Sequence, residues 1–433
     1  MHAEIVKIDV DSVISAGPIS GSQTLKRICW IFVLIGVVTF FGALIAGHAP
    51  ELVWGAYYTN LLYFMGLSVG AVMTGVIFQI VRATWSPAIR RIGEAHVSFL
   101  PWAWILLMCT WAGREYLFPW AKNPAPGKEL WMEPTFVYIR FAFLMAFLFF
   151  MMWRFVRMSI RGDVGMLVEQ MGKRGTEGWK VNMGTFFNVV SAGWQGSEKE
   201  IPELQRRLSF NAPIMVLIYA VVYSLFAFEM VMAMDPFWIS NMFGGFMFVG
   251  NIYLAWAVIG LIAIGISASN KVYGKILQNS QRWDLGKLTF GFCMLWGYLF
   301  FSQFLPQWYG NLPEETQWMI LRTRDWNMPW VYLGWLVFPL CFIIPFITLL
   351  SRDVKRTPKV YGIVALIICI GIWLEKYIIV MPSISPAINP IGGVEIGLFL
   401  GFLGVYGLSL QGFIRMLPIV PISHPTTHGS TKW

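Results

Sequence analysis

Ten stretches of about 20 mostly apolar residues, each long enough to cross a lipid bilayer as a helix, decide what this chain can become. They lie at roughly 27–48, 57–81, 97–119, 135–158, 211–235, 241–267, 286–307, 329–350, 359–381 and 392–416. Backbone in hydrocarbon finds no water to bond, so each span must satisfy its N–H and C=O groups internally, as a helix. Composition agrees: the chain is 57% hydrophobic and only 13% charged, where soluble proteins carry about a quarter charged residues. The expected fold class is an all-α polytopic membrane protein with about ten transmembrane helices. Residues 1–26 read as a polar N-terminal segment without a cleavable signal peptide, 27–416 as the membrane domain, and 417–433 as a C-terminal tail. The one long polar interval, 159–210, reads as an extramembrane loop with short surface helices.

Charge fixes the orientation. Of 32 Lys and Arg residues, 25 fall on one side of this topology and five on the other, with Arg140 and Lys376 inside spans. The rich side takes Lys7, Lys26 and Arg27, then Arg82, Arg90 and Arg91, and the 159–210 interval with Lys173, Arg174 and Lys180. It also takes the loops around Lys275 and Lys355, and finally Arg415 and Lys432. By the positive-inside rule both termini are cytoplasmic. The net charge of +9 is therefore topological, and no nucleic-acid partner is expected; the partner it implies is the lipid membrane.

Orientation converts position into depth. Arg140, Glu229, Asp235, Gln303, Glu375 and Lys376 all fall in the outer part of their spans or at its edge. Charges in hydrocarbon face the bundle interior and pair, because each costs several kcal/mol there (about 2.5–3.5 on insertion scales). Two readings stand: a quinol pocket in which carboxylates take protons and amide or cationic groups hold ring oxygens, or interhelical ion pairs of Arg140 or Lys376 with Glu229 or Glu375. Asp235, before Pro236 and Trp238, reads equally as a helix-end residue beside an interfacial anchor. At the cytoplasmic entrance of span three, Glu94 and His96 suit a proton port, since imidazole titrates near neutrality. The alternative is a helix start whose dipole Glu94 complements, with His96 at the interface. The stretch Trp296–Trp326 reads as a helix taking Ser302 and Gln303 into the membrane, breaking near Pro306 and emerging as an aromatic and acidic cap. In that cap Trp308 and Tyr309 are candidate pocket residues, and Glu314 and Glu315 solvated lid residues.

Several chemistries are disfavoured. The five cysteines are isolated, with no CxxC or CxxCH, so no iron–sulfur cluster or c-type haem is expected. They read as buried, reduced, structural thiols. Only His48 and His96 lie in or beside spans, too few for the four axial ligands of a two-haem membrane cytochrome b or for a multi-His metal site. No P-loop, Rossmann glycine pattern or catalytic triad stands out, and the Gly residues of spans two and six (Gly66, Gly70, Gly75; Gly244, Gly245, Gly250) indicate close helix packing.

The segment Tyr298–Glu315 (YLFFSQFLPQWYGNLPEE), with Trp318 and Arg322 after it, resembles a signature of the NrfD/polysulfide-reductase-type membrane subunits of alternative complex III. Phe228–Phe243 (FEMVMAMDPFWISNMF), Trp373–Pro382 (WLEKYIIVMP) and Gly93–Trp102 agree with it. The chain is similar to the shorter, ActF-like of that complex's two large quinone-type subunits. The resemblance implies two four-helix bundles, spans two to five and six to nine, with spans one and ten peripheral. It implies a quinone or menaquinone site near the outer face, with Glu229, Asp235, Gln303 and Glu375 as proton or quinone groups, and proton half-channels through both large subunits. The implied partners are an iron–sulfur subunit, the larger paralogous membrane subunit and multihaem cytochrome c subunits, in a bacterial inner membrane of respiratory or photosynthetic type. A proton-conducting subunit without quinol turnover, and a scaffold, remain as alternatives.

Overall fold

A computed structural model describes residues 9–19, 21–123, 126–174, 185–326, 328–385 and 391–425. Lys7, Lys180 and Lys432, the side chains of Lys173 and Arg174, and the middle of the 159–210 interval therefore lie outside the described residues. The described elements are helices, and ten of them are long and apolar enough to span a membrane. All ten coincide with the expected stretches. The protein is an all-α polytopic membrane protein.

The spanning helices are α1 (Gln23–Ile45), α2 (Pro50–Ile80), α3 (Pro87–Leu117), α4 (Pro134–Arg174) and α5 (Ser197–Met234). They continue as α6 (Phe243–Ser269) and α7 (Asn279–Gly310); after a short helix α8 (Pro313–Thr323) come α9 (Trp330–Leu350), α10 (Pro358–Ile384) and α11 (Gly393–Ile414). α2, α3, α4 and α5 pack as one four-helix group and α6, α7, α9 and α10 as another, joined along α2 and α6. α1 lies against α11, and α11 against α2, outside both groups. The Arg415 guanidinium donates to the Gly21 carbonyl at 2.8 Å, so the start of α1 and the end of α11 share one side of the bundle.

Apolar side chains gain little by leaving lipid for protein, so close contact between helices must come from shape. Gly66 and Gly70 of α2 supply it: a Cβ on Gly70 would lie 2.2 Å from the Asn251 carbonyl oxygen of α6. Gly244 meets Ser224 in the same way, whereas Gly75, Gly245 and Gly250 have ordinary clearance. The glycine expectation holds for half of its positions.

Four expectations change. α7 does not break near Pro306 but runs on to Gly310, ended by Asn311 in the left-handed conformation (φ 45°). One missing N–H in a long helix is tolerated where its neighbours hold it. The 159–210 interval is largely helical, because α4 extends to Arg174 and α5 begins at Ser197. Arg90 and Arg91, counted as loop charges, are 1% and 0% exposed. Cys109 is exposed on α3, and Cys369 half-buried, while Cys29, Cys293 and Cys341 are buried, all as free thiols.

Candidate functional site

The outer polar residues do not form one cluster. They divide between the two bundles. In the first, Glu229 sits on a π-helical turn, Ala227–Val231, of α5. A π turn displaces carbonyls from their usual partners and is common at functional positions; here the Tyr58 hydroxyl of α2 donates to the Met230 carbonyl at 2.7 Å. The Glu229 carboxylate pairs with Arg140 of α4 and accepts from the Trp131 indole at 3.0 Å. Arg140 lies over the Trp131 ring, 4.1 Å from its centroid. This is the interhelical pair foreseen as the alternative to a pocket: charge, countercharge and aromatic lid close on one another.

The second bundle holds a cavity of about 110 Å³. Its walls are Phe243 and Phe246 of α6, Phe300, Gln303, Phe304 and Gln307 of α7, and Val337, Glu375 and Ile378 of α9 and α10. α8 closes the outer side with Trp318, Met319 and Arg322. Trp238 stacks on Trp318 with centroids 3.9 Å apart and planes within 6°. Gly334 permits this closure, since a Cβ there would lie 2.2 Å from the Arg322 carbonyl oxygen. The polar side chains among the lining residues are few: two amides, one carboxylate, one guanidinium and the Thr323 hydroxyl.

Gln303, Glu375 and Arg322 are each fixed by further contacts. Gln303 accepts from the Ser240 hydroxyl at 3.1 Å and donates to the Leu299 carbonyl at 3.3 Å. The Glu375 carboxylate accepts from the Trp296 indole at 2.7 Å and from Lys376 at 2.5 Å. Lys376 is fully buried, 3.3 Å from the Met247 sulfur. Adjacent residues diverge on a helix, so this pair forms only because the lysine chain bends back to its neighbour.

Arg322 is 2% exposed and, among the described residues, has no carboxylate within ion-pair distance. Its Nε donates to the Ile378 carbonyl at 2.8 Å, Nη1 to Trp318 at 2.8 Å, and Nη2 to Ile379 at 3.2 Å and the Ser383 hydroxyl at 2.7 Å. The cause lies in α10. Pro382 has no N–H to give Ile378 four residues back, and Arg322 takes the freed carbonyl. Burial pushes the Arg322 pKa down to about 9, opposed by the negative charge of Asp235. The group is thus cationic at neutral pH. Four of its five N–H groups are used, leaving one on Nη1.

Trp308 and Tyr309 are 57% and 84% exposed and away from the cavity wall. The unbroken helix explains this: Phe300, Gln303, Phe304 and Gln307 share the i, i+3, i+4, i+7 face, while the next two residues turn away from it. Gln307 could have been found from that spacing. Asp235 is half-buried and accepts from the Phe237 N–H at 3.2 Å, as a helix-end residue does. Its neighbour Trp238 is a buried wall and not an interfacial anchor. Glu314 and Glu315 sit in the first turn of α8, complementing its dipole.

At the opposite end, Glu94 and His96 are buried at 1% and 0% exposure, neither a mere helix start nor an interfacial ring. Glu94 pairs with Arg90 at 3.1 Å and Arg91 at 2.7 Å and accepts from Ser159 at 2.5 Å. Arg91 also pairs with Asp163 of α4, whose second oxygen accepts from the Ser423 N–H at 2.7 Å. His96 lies between the Ile92 carbonyl at 2.8 Å and the Tyr406 hydroxyl of α11 at 2.6 Å. The C-terminal tail thus covers this network. His424, 2% exposed, has its pKa pushed well below the usual imidazole value by burial and by the charge of Arg90.

No protein-family model and no curated protein matches the chain. Among the described residues no group of three or more His, Cys, Asp or Glu has the arrangement of a metal site.

Proposed function

We propose that this chain is a quinone-type membrane subunit of a quinol:electron-acceptor oxidoreductase of the alternative complex III kind. The observation that carries the reading is the cavity in the second bundle: aromatic walls with two amides, a carboxylate, a guanidinium and a hydroxyl among the lining residues. Such a donor set suits a flat ring with oxygens at its ends, in the manner of small-molecule sites that are mostly apolar with a few placed polar groups. Arg322 and Gln303 would hold ring oxygens, and Glu375 would take a proton released as a quinol is oxidised. The electrons pass to a partner, for which the resemblance names an iron–sulfur subunit beside multihaem cytochrome c subunits and a larger paralogue. The setting it implies is a bacterial inner membrane.

The test is photolabelling of the purified full chain with an azido-menaquinone. Labelled peptides from α7, α8 and α10, displaced by excess menaquinol and reduced in Val337→Phe, are expected. Label confined to the outer, lipid-facing surface and indifferent to menaquinol refutes the reading.

A second reading, proton conduction without quinol turnover, is favoured by the buried Arg90, Arg91, Glu94 and Asp163 network at the other end of the bundle. Under it Glu94→Gln lowers proton uptake by the reconstituted complex while electron transfer persists. Loss of both together returns the choice to the first reading.

A further inference from the structure

A basic cleft of about 840 Å³ opens between α4 and α5, far from the cavity, on the side of the bundle rich in Lys and Arg. Arg154, Arg157, Arg161, Lys199 and Arg207 line it, against Glu200 and Glu203. The two carboxylates are already engaged: Glu200 holds Arg161 through two bonds, at 2.9 and 3.1 Å, and Glu203 holds Arg206 and Arg207. Among the described residues, Arg154, Arg157 and Lys199 have no ion-pair partner. Arg157 leans on the Trp153 ring, 5.2 Å from its centroid.

Two apolar grooves share walls with this cleft. One, of only about 20 Å³, lies between the helices among Met151, Ile214 and Ile218 and shares Arg154 and Met158 with the cleft. The other, about 270 Å³, lies beneath the helix Thr185–Ser191 and shares Trp153 and Arg157 with the cleft. Phe150 and Trp153 are exposed at the mouth, at 54% and 45%, as aromatic residues are at a membrane interface.

Cations without an ion-pair partner among the described residues, beside an apolar groove, describe one molecule. We propose that this cleft binds a diacyl anionic phospholipid, its phosphate at Arg154, Arg157 and Lys199 and an acyl chain in the groove beneath the helix Thr185–Ser191. Basic pockets between transmembrane helices on the cytoplasmic side recognise anionic headgroups in this way. The site is independent of the quinone reading.

The experiment is native mass spectrometry of the detergent-purified full chain titrated with phosphatidylglycerol, phosphatidylcholine of the same acyl chains, and glycerol 3-phosphate. Preferential retention of phosphatidylglycerol is expected. The double variant Arg154→Gln/Arg157→Gln should weaken it about 30-fold, roughly fivefold for each charge, without changing phosphatidylcholine binding. Lys199→Gln should weaken it about fivefold on the same basis, and Arg206→Gln, whose side chain is 80% exposed outside the cleft, should have no effect. Equal retention of the two lipids, displacement by equimolar glycerol 3-phosphate, or an Arg206→Gln loss as large as the double variant's would overturn the proposal.

Discussion

Asp163→Asn should be among the most damaging single-atom changes available to this chain. The side chains of Arg90, Arg91, Glu94 and Asp163 are at most 2% exposed and carry two positive and two negative charges. Exchanging one oxygen for an NH₂ group sets it against the Arg91 guanidinium or, with the amide turned, against the Ser423 N–H, donor against donor either way, and leaves a net positive charge in a dry site. A carboxylate would escape such a position by taking a proton, but a guanidinium remains charged. Removing one partner of a buried pair costs about 3–5 kcal/mol, because the other charge is left uncompensated. Arg91→Met in the same chain restores neutrality and should recover most of that loss. Reversible unfolding in dodecyl sulfate, followed by the fluorescence of the 22 tryptophans, gives the four free energies of the cycle. The expected coupling between positions 91 and 163 is about 3 kcal/mol, at the upper end for residues in one network. An Asp163→Asn cost below about 1 kcal/mol, or a double variant no better than the sum of the singles, refutes the claim that these charges balance in isolation from water.

Three further outcomes are expected. Gly70→Ala places a Cβ 2.2 Å from backbone of α6 and should cost about 1–3 kcal/mol in the same assay, whereas Gly75→Ala, with its nearest contact at 3.9 Å, should be close to neutral. Arg322→Lys cannot reach the Ile378, Ile379 and Trp318 carbonyls together and should cost about 2 kcal/mol or more; adding Pro382→Ala, which returns an N–H to Ile378, should recover part of it. The docked C-terminal tail should loosen in acid, since a depressed His424 pKa leaves the docked imidazole neutral while the released one takes a proton below about 6.5. Each pH unit below that value then removes about 1.4 kcal/mol. Hydrogen exchange of Leu417–His424, corrected for intrinsic rates, should rise about tenfold between pH 7.5 and 5.5, and His424→Leu should remove the difference.

The ten spans were legible because a bilayer imposes a length on an apolar helix, and the shared side of the termini followed from their number. Azimuth was not legible. Arg140, Glu229, Gln303 and Glu375 lie at one depth, yet position along a helix says nothing about which bundle a side chain faces, and the structure separates them. Pro306 misled for a related reason: a proline removes one hydrogen bond, and a helix held on both sides continues past it, carrying Trp308 and Tyr309 off the cavity face and Gln307 onto it. Arg90 and Arg91 read from the sequence as loop charges like any topogenic pair, although they lie in the first turns of α3. Only the fold brings Asp163 and the tail residues Ser423 and His424 over them.

The two bundles differ most where they place a cation beside a buried acid. In the first, Arg140 comes from α4, within the bundle, and pairs with Glu229, which also accepts from Trp131, so both charges are already engaged. In the second, Glu375 is held by its own neighbour Lys376 and by Trp296, and the cation on the cavity wall, Arg322, arrives on α8. That short helix is anchored by carbonyls of α10, one of them freed by Pro382, and by close approach to Gly334. A charge held by dipoles alone stays available to an anionic or oxygen-bearing ligand, whereas one already in a salt bridge does not. Under the proposed function the site therefore belongs to the second bundle, and the α7–α8–α9 connection, which supplies both the roof and the cation, is the part whose alteration should change what the cavity accepts.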